Sequence, residues 1–267
     1  MDKVQALLLS QWRAAKSYRL RLSLSIAALA VSVLPAWYAA SALQGLMGDK
    51  IRGEGTQYPA FLIVGMVVYS LLTVTVNALP TAISGGIANG SLEALLSTKV
   101  KIPSLFVGLF SYDLLWSLLR ATIIVATGIM LGARFAGGLH ALLAVGILGL
   151  TILAYFPFAL LASASVLAFR TAGPLPQVVM VLSGIFGGVY FPTTVIPDLV
   201  RVASKFVPLS YGLRALRAVA FEGKSLAFVS NDIATLLAMT MLFFAVALVV
   251  LAATLRHVRH GGGLSQY

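Results

Sequence analysis

Few residues in this chain have the type and spacing for covalent chemistry. Gly223-Lys224-Ser225 resembles the end of a phosphate-binding loop, but that pattern needs Gly where Ala218 stands, and no strand-like run precedes it. Ile83-Ser84-Gly85-Gly86 resembles an ATPase signature loop, yet it closes an apolar run and has no phosphate-binding loop to serve. His140, His257 and His260 lack metal-ligand spacing, and there is neither HExxH nor GxSxG. The chain has no Cys, which excludes disulfides, thiolate metal sites and Cys nucleophiles. The sequence therefore predicts no catalytic residues, no metal site and no cofactor bound by this chain.

Two charges remain that chemistry has to explain. Asp113 and Arg120 interrupt an otherwise uncharged stretch, Ser104–Leu131. Seven residues apart, they share a helical face but sit ~10 Å apart along the axis, too far to pair directly. Charges inside a membrane span tend to face a bundle interior or a cavity. The plainer reading puts Asp113 at a membrane boundary with Tyr112 and Trp116, or in a contact with a neighbouring helix.

The elements that must position these charges follow from composition. Sixty per cent of the 267 residues are apolar, 10% are charged, and the mean hydropathy is +0.97. Soluble domains carry about a quarter charged residues, and a fold of this length cannot hide so much apolar surface from water. A soluble enzyme, a disordered chain and a fibrous repeat are all excluded. The apolar runs are long and apolar on every side, so they read as helices and not as the ~10-residue alternating strands of a barrel. Six spans are expected, near 22–42, 57–80, 104–131, 139–168, 175–191 and 233–255. The fourth runs to ~45 Å, with Pro157 placed to kink it. The fifth is bounded by Pro174, Pro176 and Pro192 and barely crosses. Gly128/Gly132 and Gly184/Gly188 are small-residue pairs that allow close helix packing. Ala40-Ser41-Ala42 looks cleavable, but the long basic stretch before it reads as structured, so the first run is kept as a span.

Charge orients the bundle. With six spans both termini share a side. The N-terminus, the 81–103 loop, Arg170 and the tail together hold ten Lys+Arg and two acids, against eight and five for the other side. By the positive-inside rule the termini are cytosolic. The net charge of +11 is thus a topology signal that meets lipid headgroups; no aromatic-interleaved basic groove marks a nucleic-acid partner.

Three segments are apolar beyond what spans require. Residues 3–19 place Val4, Leu7, Leu8, Trp12 and Ala15 on one face, as an amphipathic helix lying in the interface. In TAISGGIANGSLEALLSTKVKIP, Gly85, Gly86 and Gly90 are expected to break the second span. Ser91 then caps a short cytosolic helix, with Glu93 in its positively polarised first turn and Leu92, Leu95 and Leu96 as an apolar stripe. Such a helix suits docking into a partner's groove or lying on lipid. The 192–232 connection is cut by Pro192, Pro197 and Pro208. It reads as two short helices, 197–206 and 210–221, dipping back into the outer leaflet and shielded by protein.

Taken together, these features resemble the ABC-2 type transporter permease, the membrane-spanning subunit of a type-two ABC exporter. The resemblance covers nearly the whole chain. It is strongest in Gly90–Val100, where the family shows a Gly-(Ser/Thr)-Leu-Glu segment, and in Phe191–Gly223, where it shows a Phe-Pro…Pro…Pro-Leu-(Ser/Thr)-Tyr…Arg pattern. It implies an all-α polytopic fold in one permease domain, with interfacial helix 1–21, six-span bundle 22–255 and cytosolic tail 256–267, placed in the cell membrane. It implies pairing with a second permease copy as a homodimer, and with two separate ATP-binding subunits that carry the ATP and Mg. By the family pattern Gly90, Ser91, Leu92, Glu93, Leu95 and Leu96 form the coupling segment against the ATPase. Phe191, Pro192, Pro197, Pro208, Leu209, Ser210, Tyr211, Arg214 and Arg217 belong to the re-entrant helices that shape the outer exit. The expected cargo is an amphipathic or hydrophobic drug, antibiotic or lipid. A lipid-linked glycan is the alternative, its path drawn from aromatics such as Tyr69, Tyr155 and Trp116. An ion-coupled carrier would instead predict inverted repeats and several intramembrane carboxylates, whereas no clear repeat is found and Asp113 stands alone.

Overall fold

The computed structural model describes residues 19–88, 102–169, 173–195 and 197–260. Of the expected interfacial helix over residues 3–19 all but Arg19, which begins the first described helix, lies outside them, as does the coupling segment 90–96. In chain order the helices are α1 (Arg19–Ala42), α2 (Gln44–Met47), α3 (Tyr58–Ala88), α4 (Ile102–Met130), α5 (Leu139–Phe169) and α6 (Leu175–Phe186). A 3-10 turn at Thr193–Val195 follows, then α7 (Asp198–Ser204), α8 (Pro208–Glu222) and α9 (Ser230–His260). Among the described residues four helical stretches are long and apolar enough to cross a membrane: Tyr58–Ala88, Asp113–Met130, Leu139–Phe169 and Ser230–His257. The first and fifth expected spans appear as shorter apolar helices, Ile26–Ala42 and Leu175–Phe186.

Helix α3 is the hub. It packs on α1 and α4 on one side and on α5 and α6 on the other, while α5 carries α8 and α9. Its apolar residues lie all round the helix, so it is buried on most faces, including Phe61, Leu71, Leu72 and Val76. The outer helices α4 and α9 instead expose leucine and valine, as lipid-facing helices do. Two polar turns fix the antiparallel order at one end. Gln57 Nε2 donates to the Gly132 carbonyl (3.3 Å), and the Arg134 N–H donates to Gln57 Oε1 (3.1 Å), tying the start of α3 to the end of α4. The Ala136 N–H donates to the Ala220 carbonyl at 2.7 Å, joining the next loop to α8.

Several expected boundaries move. Gly85 and Gly86 do not break the second span: α3 continues through Pro80 and both glycines to Ala88. A glycine costs a helix only ~1 kcal/mol, and leaving backbone groups unpaired in hydrocarbon costs more. The fifth span stops at Phe186, not at residue 191, because Gly188 adopts φ +77° and turns the chain. Gly132 and Gly188 therefore lie past the ends of their helices in positive-φ turns (φ +108° and +77°), while Gly128 and Gly184 do pack closely: a Cβ on either would come within 3.2 Å of Ile63 or Tyr69 on α3. The segment 19–21 is already part of α1, and the tail expected from 256 remains helical to His260. The long fourth helix matches its expected bounds, with Pro157 inside it.

Candidate functional site

The connection before the last helix folds into the end of the bundle. Val207 is extended, Pro208 starts α8, and Gly223 at φ +61° ends it. Eleven of its fifteen residues are buried, from Pro208 to Ala220. Such burial requires every polar group to find a partner. Ser210 Oγ donates to the Phe186 carbonyl at 3.0 Å, and Tyr211 Oη donates to the Lys205 carbonyl at 3.1 Å. Leu209 is fully buried, Pro192 and Pro208 are buried, Phe191 is half-buried, and Pro197 is exposed.

Arg217 is the largest fully buried side chain, with 0% exposure. Its Nη1 donates to Glu54 Oε2 (3.2 Å) and to the Gly188 carbonyl (2.8 Å). Its Nη2 donates to the carbonyls of Phe61 (3.0 Å) and Val189 (3.1 Å). The guanidinium stacks 3.4 Å from the Phe61 ring centroid, a planar cation on a π-face. One side chain thus joins α8, the start of α3, the loop before it and the turn after α6. Burial pulls its pKa down, to about 10, and Glu54 pulls the other way, so it stays charged at neutral pH. The local chain is shaped for this. Gly53 (φ +93°) and Gly55 (φ +140°) flank Glu54, and Ile51, fully buried, anchors the loop. One helical turn before Arg217, Arg214 faces outward and forms a two-point ion pair with Asp232 at the start of α9, Nε to Oδ2 at 2.8 Å and Nη2 to Oδ1. That hydrogen-bonded carboxylate raises the guanidinium's pKa.

Asp113 and Arg120 lie elsewhere. Asp113 sits eleven residues from the start of α4 and Arg120 ten from its end, each ~15 Å inside the helix. Both line one cavity of ≈ 250 Å³ between α3 and α4, with Val74, Asn77, Ala78 and Thr81 on α3 and Trp116 and Ser117 on α4. Arg120 leans over Trp116, 5.6 Å from its ring centroid. Among the described residues neither charge has an ion-pair partner. Nor do three or more His, Asp or Glu gather there as metal ligands.

The sequence singled out Arg214, Arg217, Asp113 and Arg120, and the structure sorts them into a buried junction, a surface clamp and a mid-helix cavity. Sequence reasoning missed Glu54, Asn77 and Thr81. The need for a counter-charge was visible, since Arg217 shares a face with Leu213 and Ala220, but nothing local named Glu54. Asn77 was visible as an amide inside a long apolar run.

Comparison with family models matches the ABC-2 type transporter over residues 4–221. Comparison with curated proteins finds no significant match.

Proposed function

The chain belongs to the ABC-2 type transporter family, and on that premise we propose that it works as the membrane permease of an ATP-driven exporter. As a family member it is a multi-pass membrane protein and a permease component. The finer reading has six spans in one domain, both termini cytosolic and the cell membrane as its site. Two copies of the chain pair, and two separate ATP-binding subunits hold the ATP and Mg. Gly90–Leu96 is the coupling segment, with Glu93 the acidic contact. ATP binding on the partner closes the two ATPases, and the segment passes that motion to the spans as a rigid-body shift. Helices α7 and α8 shape the outer exit, and the cargo is an amphipathic or hydrophobic small molecule or lipid.

The observation that carries this reading is the reach of the family match. It runs from the basic N-terminal segment through Gly90–Val100 and all but the last two residues of Phe191–Gly223, and stops one residue short of α8's end. Copurification tests it. The tagged full chain is expected to bring down an ATP-binding subunit from native membranes. Glu93→Arg places a cation where an acid meets the partner, and should cut the ATPase recovered at least tenfold at unchanged chain yield. Unchanged ATPase recovery and transport in that variant would remove the coupling assignment.

A further inference from the structure

The cavity between α3 and α4 has a polarity that the bundle itself does not explain. Its two charges are opposite in sign, share one helix face and stay unpaired among the described residues. Both side chains are exposed on the isolated chain, so a ligand can reach them. Arg120 leans toward Trp116, one turn nearer to Asp113, as side chains on a helix lean toward its N-terminus. The guanidinium and the carboxylate then face a common space without touching.

We propose that this cavity binds the zwitterionic head of an amphiphile, a protonated amine against Asp113 and a phosphate against Arg120. A group carrying both charges a few ångströms apart neutralises both side chains at once, which a singly charged ligand cannot do. The groove is open on one side, and its volume, ≈ 250 Å³, accommodates a headgroup while the rest of an amphiphile stays outside it. Asn77 commits its Nδ2 to the Thr73 carbonyl at 2.8 Å, which leaves its amide oxygen to accept from the amine. The inference rests on the permease reading and narrows its cargo to lipids or lipid-like molecules with a zwitterionic head.

Native mass spectrometry of the full-length chain, without its ATPase, tests this against three diacyl lipids: phosphatidylethanolamine, anionic phosphatidylglycerol, and a cationic lipid lacking phosphate. Phosphatidylethanolamine is expected to be retained about tenfold over either singly charged lipid. Asp113→Asn should bring it down to the phosphatidylglycerol level, and Arg120→Gln to that of the cationic lipid. Competition by soluble O-phosphoethanolamine assigns the preference to the head alone; preference without competition assigns it to the intact lipid. The wild-type chain supplies a second readout that needs no variant to fold. Headgroup-photoreactive phosphatidylethanolamine should crosslink to peptides holding residues 74–81 and 113–120. Equal retention of the three lipids, a preference that survives both substitutions, or crosslinks confined to α9 overturns the proposal. Because no ATPase is present, this result can fail while copurification succeeds, and the reverse.

Discussion

Arg217→Ala is expected to be the most damaging single change in the described fold. It strands the Glu54 carboxylate, 12% exposed as a side chain, and the carbonyls of Phe61, Gly188 and Val189, all of which Arg217 now serves. Removing one partner of a buried ion pair costs about 3–5 kcal/mol, and the stacking on Phe61 is lost as well. Glu54→Ala should cost less, about 2 kcal/mol, since Arg217 keeps its three carbonyl acceptors and a charge-assisted hydrogen bond is worth ~1.5–3 kcal/mol. Arg217→Lys should not rescue, because a single ammonium cannot span the fork that meets four acceptors. Thermal unfolding of the purified full chain in detergent reads all three. The order Arg217→Ala and Arg217→Lys well below Glu54→Ala, itself below wild type, is the expected outcome. A Glu54→Ala loss equal to that of Arg217→Ala would mean that the ion pair alone, and not the carbonyl cluster, holds the junction.

The second large effect comes from the residue that lets Arg217 lie there. A Cβ at Gly65 would fall 2.7 Å from Arg217 Nη2 and nearer still to the Val189 carbonyl. Neither neighbour can yield: one is backbone and the other is held by its acceptors. Gly65→Ala should therefore overpack the junction and cost ~1–3 kcal/mol. Gly146→Ala in α5 is the control, because a Cβ there meets nothing within 4 Å and helix propensity favours alanine by ~1 kcal/mol. Melting should show a clear fall for the first and no fall for the second. The pair Gly65→Ala with Arg217→Ala should lose less than the sum of the single losses, because both act on one contact. Strict additivity would place Gly65 outside the junction.

These two cases show where the sequence was informative. Long uncharged runs announced the helices, since hydrocarbon allows no other way to satisfy their backbone. α5 appeared with its Pro157 where the pattern put it. Boundaries were misread where glycine was taken as a breaker: Gly85 and Gly86 stay helical, while Gly188 ends a helix expected to continue. The difference lies in what each glycine meets in three dimensions, which local composition does not record. Arg217 was legible as a charge on an apolar helix face. Its partner was not, because Glu54 stands 163 residues away in the chain. Similarly, the seven-residue spacing put Asp113 and Arg120 on one face, but the α3 side of their cavity, Asn77 and Thr81, is a tertiary fact.

The central claim is that ATP bound by a partner moves this chain's outer end. The absence of Cys in the chain makes a direct measurement simple. Phe206, between α7 and α8, is 71% exposed, so Phe206→Cys accepts a spin label, attached before the ATPase is added, with no background from this chain. In proteoliposomes holding the full chain and its ATPase, the distance between labels on two copies is read by pulsed electron resonance. The account predicts a measurable intermolecular distance that shifts when ATP and Mg are added, and no shift with an ATPase unable to bind nucleotide. A distribution that ignores ATP, or labels too far apart to interact at all, would contradict it.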